Sequence, residues 1–419
     1  MSVSSYIAKH ISASGGTSSR QTPAVAVASA GLALSFVVML LAIAVTDGFK
    51  RQISDKISGF ESQIRITPFQ SSTDTNEAEM IWSDELLNRI RDAVLPYSDN
   101  GNPDVARASI ASGLLKTANE FAGLAIKAYG PEASMDFERN MLIEGTMPGP
   151  NSQNEIAISI ATAKNLNLSV GDKVNAYFIE SNGVRPRRFK VSGIFRSDFS
   201  EFDNLMAFGS ERTIRSLRRA SEVQADAVEI RCLDPQQIND AALALQQTLN
   251  KAFASGLTPK LLTAIPITVR AATYYNWLDM LDTNITVILT LMGCVSAFMI
   301  IACVLILVLK RVRMVGILKA IGATNKQIER IFIYLSLRVI ISGLIVGNIV
   351  ALGLIALQHY LHIVPLNPEN YYLSYVPVHL TLTQWIVLNL SAALLAVAVA
   401  ILPAMLVRRL SASRTMRWE

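Results

Sequence analysis

Four stretches of this chain carry no charged side chain and are long enough to cross a bilayer. Ala24–Val45 runs for 22 residues and Thr283–Leu309 for 27, and Val339–Leu357 and Leu382–Val407 are likewise uncharged. About 18–20 apolar residues span the hydrocarbon core. The pattern therefore predicts four transmembrane α-helices, at residues 24–46, 283–309, 325–357 and 382–407. The first follows Pro23, a favoured helix-start residue, and its Ala28, Ser29, Ala30, Gly31 and Ala33 are small enough for close helix contact in lipid. It is longer than the apolar core of a signal peptide and is expected to stay as an anchor. The third carries Arg338, which could snorkel, pair with another helix or face a wet cavity.

The segment 47–282 shows shorter periods. Gln63–Pro68, Val105–Lys116, Phe121–Ala128, Asn154–Ser159, Lys173–Ile179, Arg188–Phe195 and Ala227–Leu233 read as strands. Ser83–Leu95, Ile160–Leu168, Ser210–Ala220 and Pro235–Phe253 read as helices, with Ser83 as an N-cap. Ser181-Asn182-Gly183 marks a hairpin, because Asn-Gly takes positive φ readily. Tyr274, Tyr275 and Trp277 form an interfacial aromatic group before the second membrane helix. The expected fold is a membrane protein of four transmembrane α-helices with a large α+β extracytoplasmic domain inserted between helices 1 and 2.

Between the second and third membrane helices lies a short basic segment, Lys310–Arg330. Met314, Ile317, Leu318 and Ile321 fall at i, i+3, i+4, i+7, one face of an α-helix, with Arg313 and Lys319 away from that stripe. Gly322 can close this helix. Thr324 and Gln327 have the spacing of a capping box that starts the next one. A helix of about ten residues needs a packing partner to be stable. The stripe could rest on the protein's own helix ends, on lipid or on another chain.

Charge sharpens the topology. The 38 Lys/Arg and 33 Asp/Glu of the 419 residues are unevenly placed: segments 1–23, 310–330 and 407–419 hold 12 Lys/Arg against two acids, whereas 47–282 holds 25 against 30. The positive-inside rule puts both termini and the basic loop in the cytoplasm and the inserted segment outside. Basic flanks of membrane helices account for the excess positive charge, and no nucleic acid is implied. Cys232 is the only cysteine of the inserted segment, so that domain holds no internal disulfide.

No catalytic centre can be read from the chain. It has no GxxxxGK[ST], HExxH, GxSxG or CxxC motif, and its uncharged membrane stretches hold no acid for a proton relay. His359 and His362 stand three apart without a third ligand nearby, and no metal is expected. Energy used here has to come from another chain.

Several motifs, in order, resemble one family. Tyr6-Ile7-Ala8-Lys9, Gly31 with Asp47-Gly48-Phe49, Glu144-Gly145 with Glu155–Ser159, Leu168–Val174, Val191–Phe195 with Glu201-Phe202-Asp203, Gly316–Thr324, and Tyr372-Leu373 with Val376-Pro377-Val378 are similar to the permeases of lipoprotein-releasing ABC transporters, within the FtsX-like and macrolide-exporter-type fold class. The resemblance implies a cytoplasmic lead-in at 1–23, membrane helices at 24–46, 283–309, 325–357 and 382–407, an extracytoplasmic domain at 47–282 with helical stalks, a coupling helix and turn at 310–324, an outer loop at 358–381 and a cytoplasmic tail at 408–419. It implies a bacterial inner-membrane location with the large domain periplasmic. The expected partners are an ABC ATPase subunit that uses ATP and Mg, a second permease chain in a homo- or heterodimer, a lipoprotein substrate, a periplasmic carrier and membrane lipid. This chain itself binds no cofactor. The ATPase-coupling residues would be Arg313, Met314, Gly316, Ile317, Leu318, Lys319, Ile321, Gly322 and Thr324.

One departure bears on the carrier. Where the carrier-recruiting branch has an extended hook, Tyr177–Lys190 is short, with Asn182, Gly183, Arg185, Arg187 and Arg188. These residues could form a modified docking surface or a solvated hairpin. The alternative function is therefore a mechanotransmission permease that drives a cell-wall hydrolase or an efflux channel without a transported substrate.

Overall fold

The computed structural model describes residues 23–69, 80–99, 101–180, 183–218 and 224–406. The lead-in before Pro23, the tail from Val407 onward and Asn182 lie outside the described residues. The chain divides into two compact units, one comprising the residues up to Arg51, Leu278–Pro365 and Tyr375 onward, the other Gln52–Trp277 with Leu366–Ser374.

The first unit is built from α1 (Pro23–Glu61), α2 (Ala272–Lys310), the short α3 (Val312–Ala320), α4 (Asn325–Leu361) and α5 (Leu382–Leu406), although α1 and α2 each run on into the other unit. Among the described residues, four of these helices are long and apolar enough to cross a membrane. At 1.5 Å per residue, the 39 residues of α1 or α2 extend about 58 Å, roughly twice the hydrocarbon thickness. The uncharged runs are therefore only the bilayer-crossing parts of helices that continue through polar sequence. Small residues let α1 and α4 approach closely. A Cβ on Gly343 would lie 2.8 Å from Leu32 Cδ2 and 3.2 Å from Ser29 O, and one on Gly347 3.1 Å from Ala33 O. Glycines four apart on one helix face are a known route to tight packing in lipid. A polar clamp joins α4 to α5: Asn348 Nδ2 donates to Asn389 Oδ1 at 2.7 Å, and Trp385 Nε1 donates to Asn348 Oδ1 at 2.7 Å.

The second unit holds the strands β1 (Ile64–Pro68), β2 (Met80–Ile81), β3 (Asp104–Lys116), β4 (Phe121–Tyr129), β5 (Leu142–Gly145), β6 (Glu155–Ser159), β7 (Lys173–Glu180), β8 (Gly183–Phe195), β9 (Met206–Gly209), β10 (Gln224–Ala225), β11 (Ala227–Arg231) and β12 (Leu262–Pro266). One mixed sheet runs β12-β1-β11-β3-β4-β9-β6-β8-β5, with β7 bridging β3 and β8 and a separate β2–β10 pair. The β4–β9 and β6–β8 pairs are parallel and the rest antiparallel. Phe178, Phe189, Ile156, Ile158, Leu124 and Ile126 centre the larger core cluster. Helix Asp84–Val94 starts at Ser83, whose hydroxyl accepts from Leu86 N, and buries Leu86, Leu87, Ile90 and Val94. The domain is α+β, as the sequence pattern predicts.

Two expectations change. The second arm of the predicted hairpin begins at Gly183 rather than Arg188, because Val184–Arg187 pair with Ala176–Ile179. Pro186 is accommodated there opposite Tyr177. The predicted helix Ser210–Ala220 spans Glu211–Arg218, Ala220 lying outside the described residues.

Candidate functional site

The basic turn between α2 and α4 is held by local chemistry. α3 closes with a paired C-terminal bond pattern, Ala323 N to Leu318 O at 2.9 Å and Gly322 N to Lys319 O at 3.1 Å. This pattern needs a left-handed residue after the cap, and Gly322 supplies φ +96°. One residue separates it from Thr324, whose side chain accepts from Gln327 N at 3.3 Å while Gln327 Oε1 accepts from Thr324 N at 2.8 Å. Both capping signals of the sequence are thus present in the geometry.

The apolar stripe of α3 divides. Val315 is fully buried and Gly316 is buried, while Met314 and Leu318 pack partly buried against Leu32, Val304, Val308, Ile328 and Phe332. Ile317 is 52% exposed and Ile321 78%. The buried face is thus turned about a quarter of a helical turn away from the centre of the predicted stripe, toward Val315. α3 rests on its own bundle through one edge and leaves the other edge apolar and open. Arg313 lies in the helix, Lys319 is half-buried and Thr324 is exposed.

In the inserted domain, the basic hairpin turns inward. Arg185 Nη1 donates to Leu217 O, and Arg187 Nη2 reaches Ser216 O and Oγ at 3.5 Å. These carbonyls belong to the last turn of helix Glu211–Arg218, where orphan acceptors and the helix dipole favour a cation. Of the three arginines, Arg188 is exposed, as are Gly183 and Val184. Arg185 and Arg187 thus serve the domain's own packing, while Arg188 stays open.

Two further features of the membrane unit went unpredicted. Gly48 lies inside α1 where the backbone of Pro377–His379 crosses it: a Cβ there would stand 2.9 Å from Pro377 C, Pro377 O and His379 N. His379 N donates to Ala44 O at 2.9 Å, and His379 Nδ1 lies 2.6 Å from Asp47 Oδ2, which Arg51 also reaches at 3.0 Å. The Asp47-Gly48 and Val376-Pro377-Val378 motifs, more than 300 residues apart, are the two sides of this crossing. A glycine at mid-helix was the available signal. Elsewhere in the bundle a cavity of about 300 Å³ is lined by Phe36, Met39, Leu289, Gly293, Leu344 and Ala392 among others. His362 ends α4 in the left-handed conformation, its ring 3.9 Å from that of Tyr375.

Comparison with known proteins agrees with this architecture. Residues 25–248 match the MacB-like periplasmic core domain, and residues 286–412 match the FtsX-like permease C-terminal region. A lipoprotein-releasing system transmembrane protein LolC of Neisseria meningitidis serogroup B is 23% identical over 373 residues, covering 84% of this chain and 83% of that one. The LolC protein of Xylella fastidiosa strain Temecula1 is 22% identical, covering 93% of this chain and 92% of the relative. The solved extracellular domain of the noncanonic ABC-type transporter YknZ from Gram-positive bacteria is 14% identical, with a TM-score of 0.33, and covers 48% of this chain and 98% of that one. With four membrane helices and an α+β core inserted after the first, the chain belongs to the FtsX-like permeases that carry a MacB-like periplasmic core domain.

Proposed function

We propose that this chain is the permease subunit of an ABC transporter that releases lipid-anchored protein from the outer leaflet of the inner membrane. A separate ATPase subunit would hydrolyse ATP with Mg, and a second permease chain would complete the bundle. The observation that carries the reading is likeness along nearly the whole chain: relatives named as lipoprotein-releasing transmembrane proteins match 84% and 93% of it. The exposed Ile317 and Ile321 edge of α3 supports ATPase coupling at the basic turn, since a clamped short helix with an open apolar edge suits a protein groove. In this reading both termini and the turn face the cytoplasm and the inserted domain faces the periplasm.

The test is reconstitution with the ATPase subunit in proteoliposomes carrying a lipidated protein. ATP-dependent release, together with photocrosslinks from the outer halves of α1 and α2 to the lipoprotein, is expected. An ATPase-competent complex that gives neither would overturn the reading. Ile317→Ser with Ile321→Ser should leave insertion and folding unchanged while reducing ATPase stimulation at least tenfold. Leu318→Asp and Gly316→Trp disturb the bundle's own packing as well, and separate the two effects less cleanly.

A mechanotransmission permease without a transported substrate is the second reading, favoured by the inward-turned arginines of the short hairpin. A pull-down with the full complex discriminates: a lipoprotein carrier supports the first reading, a hydrolase or outer-membrane channel the second.

A further inference from the structure

The chain passes between its two units at four points, and one pair of crossings is unexpected. Leu366–Ser374, from the segment between α4 and α5, belongs to the unit of the inserted domain. It is held there by a dense set of contacts. The Tyr372 ring stacks on Phe199 with centroids 4.3 Å apart and an interplanar angle of 14°. Tyr274, in the first turn of α2, meets both rings edge-on, at 5.6 Å from Phe199 and 6.4 Å from Tyr372. Lys56 of α1 donates to Ser197 O at 2.9 Å and to Tyr372 O at 3.0 Å. Ser374 Oγ donates to Asp198 Oδ2 at 2.9 Å, and Tyr274 Oη donates to the Glu201 carboxylate.

The geometry is specified rather than incidental. Asp198 and Tyr372 both have positive φ, +57° and +59°. For a bulky residue such as tyrosine this is a genuine outlier. Residues held there are strained and persist only where their surroundings over-determine them. Here Asp203 fixes the loop by accepting from Ser197 N at 3.1 Å and Ser197 Oγ at 2.6 Å, and Phe199 is fully buried. The motif pieces Glu201-Phe202-Asp203 and Tyr372-Leu373, distant in sequence, meet at one place with the polar extensions of α1 and α2.

We infer that Leu366–Ser374 is a third attachment of the inserted domain, with Tyr372, Ser374, Lys56, Phe199 and Asp198 as positioning residues that make the α4–α5 connection travel with the domain through the ATPase cycle. Motion of α4, which carries the basic turn at its start, then reaches the domain through its own chain as well as through α1 and α2. This rests on the ABC permease reading above.

The test is performed on the full complex with its ATPase subunit, in a background with Cys232→Ser, Cys294→Ser and Cys303→Ala. Asp198→Cys with Ser374→Cys is treated with a short bifunctional methanethiosulfonate in the nucleotide-free, ATP-bound and vanadate-trapped states. Equal crosslinking yield in all three states is expected, and a yield that falls more than threefold in any state overturns the attachment. Separately, Tyr372→Ala with Lys56→Met should lower lipoprotein released per ATP hydrolysed at least fivefold at an unchanged ATPase rate, and Tyr372→Phe should restore it when introduced in place of Tyr372→Ala with Lys56 intact. An unchanged ratio in the double variant overturns the proposal. If the unmodified complex hydrolyses ATP but releases nothing, the release reading fails on its own, and the crosslinking yields still decide the attachment.

Discussion

Replacing Lys127 tests how the inserted domain is held together. Its ammonium sits 2.8 Å from Glu229 Oε2, with the two side chains 2% and 1% exposed, and it donates to Phe60 O at 2.6 Å. Burial pulls the Lys127 pKa down, against the charge of Glu229. Burial pushes Glu229 upward, and the charges of Lys127, Arg65 and Arg270 outweigh it and hold the carboxyl below its ordinary 4.5. Removing one partner of a buried pair costs about 3–5 kcal/mol because the other charge stays desolvated. Arg65 and Arg270 still face Glu229, so the lower end, about 3 kcal/mol, is expected for Lys127→Met. Against a urea slope of about 3 kcal/mol/M this moves the midpoint down by about 1 M. Trp82 is fully buried in this domain, its Nε1 donating to Ala225 O at 3.1 Å, and serves as the fluorescence probe once the other tryptophans are replaced by phenylalanine. Lys127→Met with Glu229→Met should cost less than the two single variants summed, although it leaves Arg65 and Arg270 without Glu229. A loss below about 0.5 kcal/mol for the single variant, or simple additivity in the pair, would refute the reasoning.

Three further outcomes follow from the geometry. Burial raises Glu132, but the Arg107 side chain and N–H outweigh it and hold the carboxyl below 4.5; native Glu132 thus stays ionised where the unfolded chain takes up protons, and its contribution is present above 4.5 and lost as pH falls through the lowered folded value. The urea-midpoint gap between the unmodified protein and Arg107→Met should therefore shrink below pH 4.5. Thr324→Ala removes the side-chain half of the capping box and should cost about 0.5–2 kcal/mol, read as faster amide exchange in the first turn of α4. Gly48→Ala gains about 1 kcal/mol of helix propensity but forces three backbone atoms apart at about 1–3 kcal/mol, so thermal unfolding in detergent should show no gain and up to about 2 kcal/mol of loss. A stabilised Gly48→Ala protein would show that the Pro377–His379 crossing is loose.

The membrane helices were legible because hydropathy is a local property, and the capping of α3 and α4 was legible because Gly322, Thr324 and Gln327 act within one turn. The sheet order was not. β9 is four residues, all buried, so it lacks the alternation that separates strand from helix. Its neighbours β4 and β6 lie far away in sequence. The orientation of α3 stayed open for a related reason. Periodicity identifies which positions are apolar, but not which of two apolar surroundings each one meets. Val315, just beside the predicted stripe, sits at the centre of the buried face. Gly343-Leu344-Ile345-Val346-Gly347 was a readable signal for the α1–α4 contact.

The same capping chemistry bears on how α1 joins the sheet. A helix end ordinarily frays at almost no free-energy cost. Here the last carbonyls of α1 are taken by cations projecting from the domain: Lys127 donates to Phe60 O, and Arg270 Nη2 donates to Glu61 O and, at 2.8 Å, to Ser62 O. Cations at a C-terminus also complement the helix dipole. One residue later the chain is already in the sheet, Gln63 N bonding Ile230 O at 2.9 Å while its side chain exchanges two bonds with Leu233. Hydrogen bonds to charged groups contribute about 1.5–3 kcal/mol each, so unwinding the last turn of α1 means breaking several at once. The helix end and the sheet behind it are therefore held as one piece.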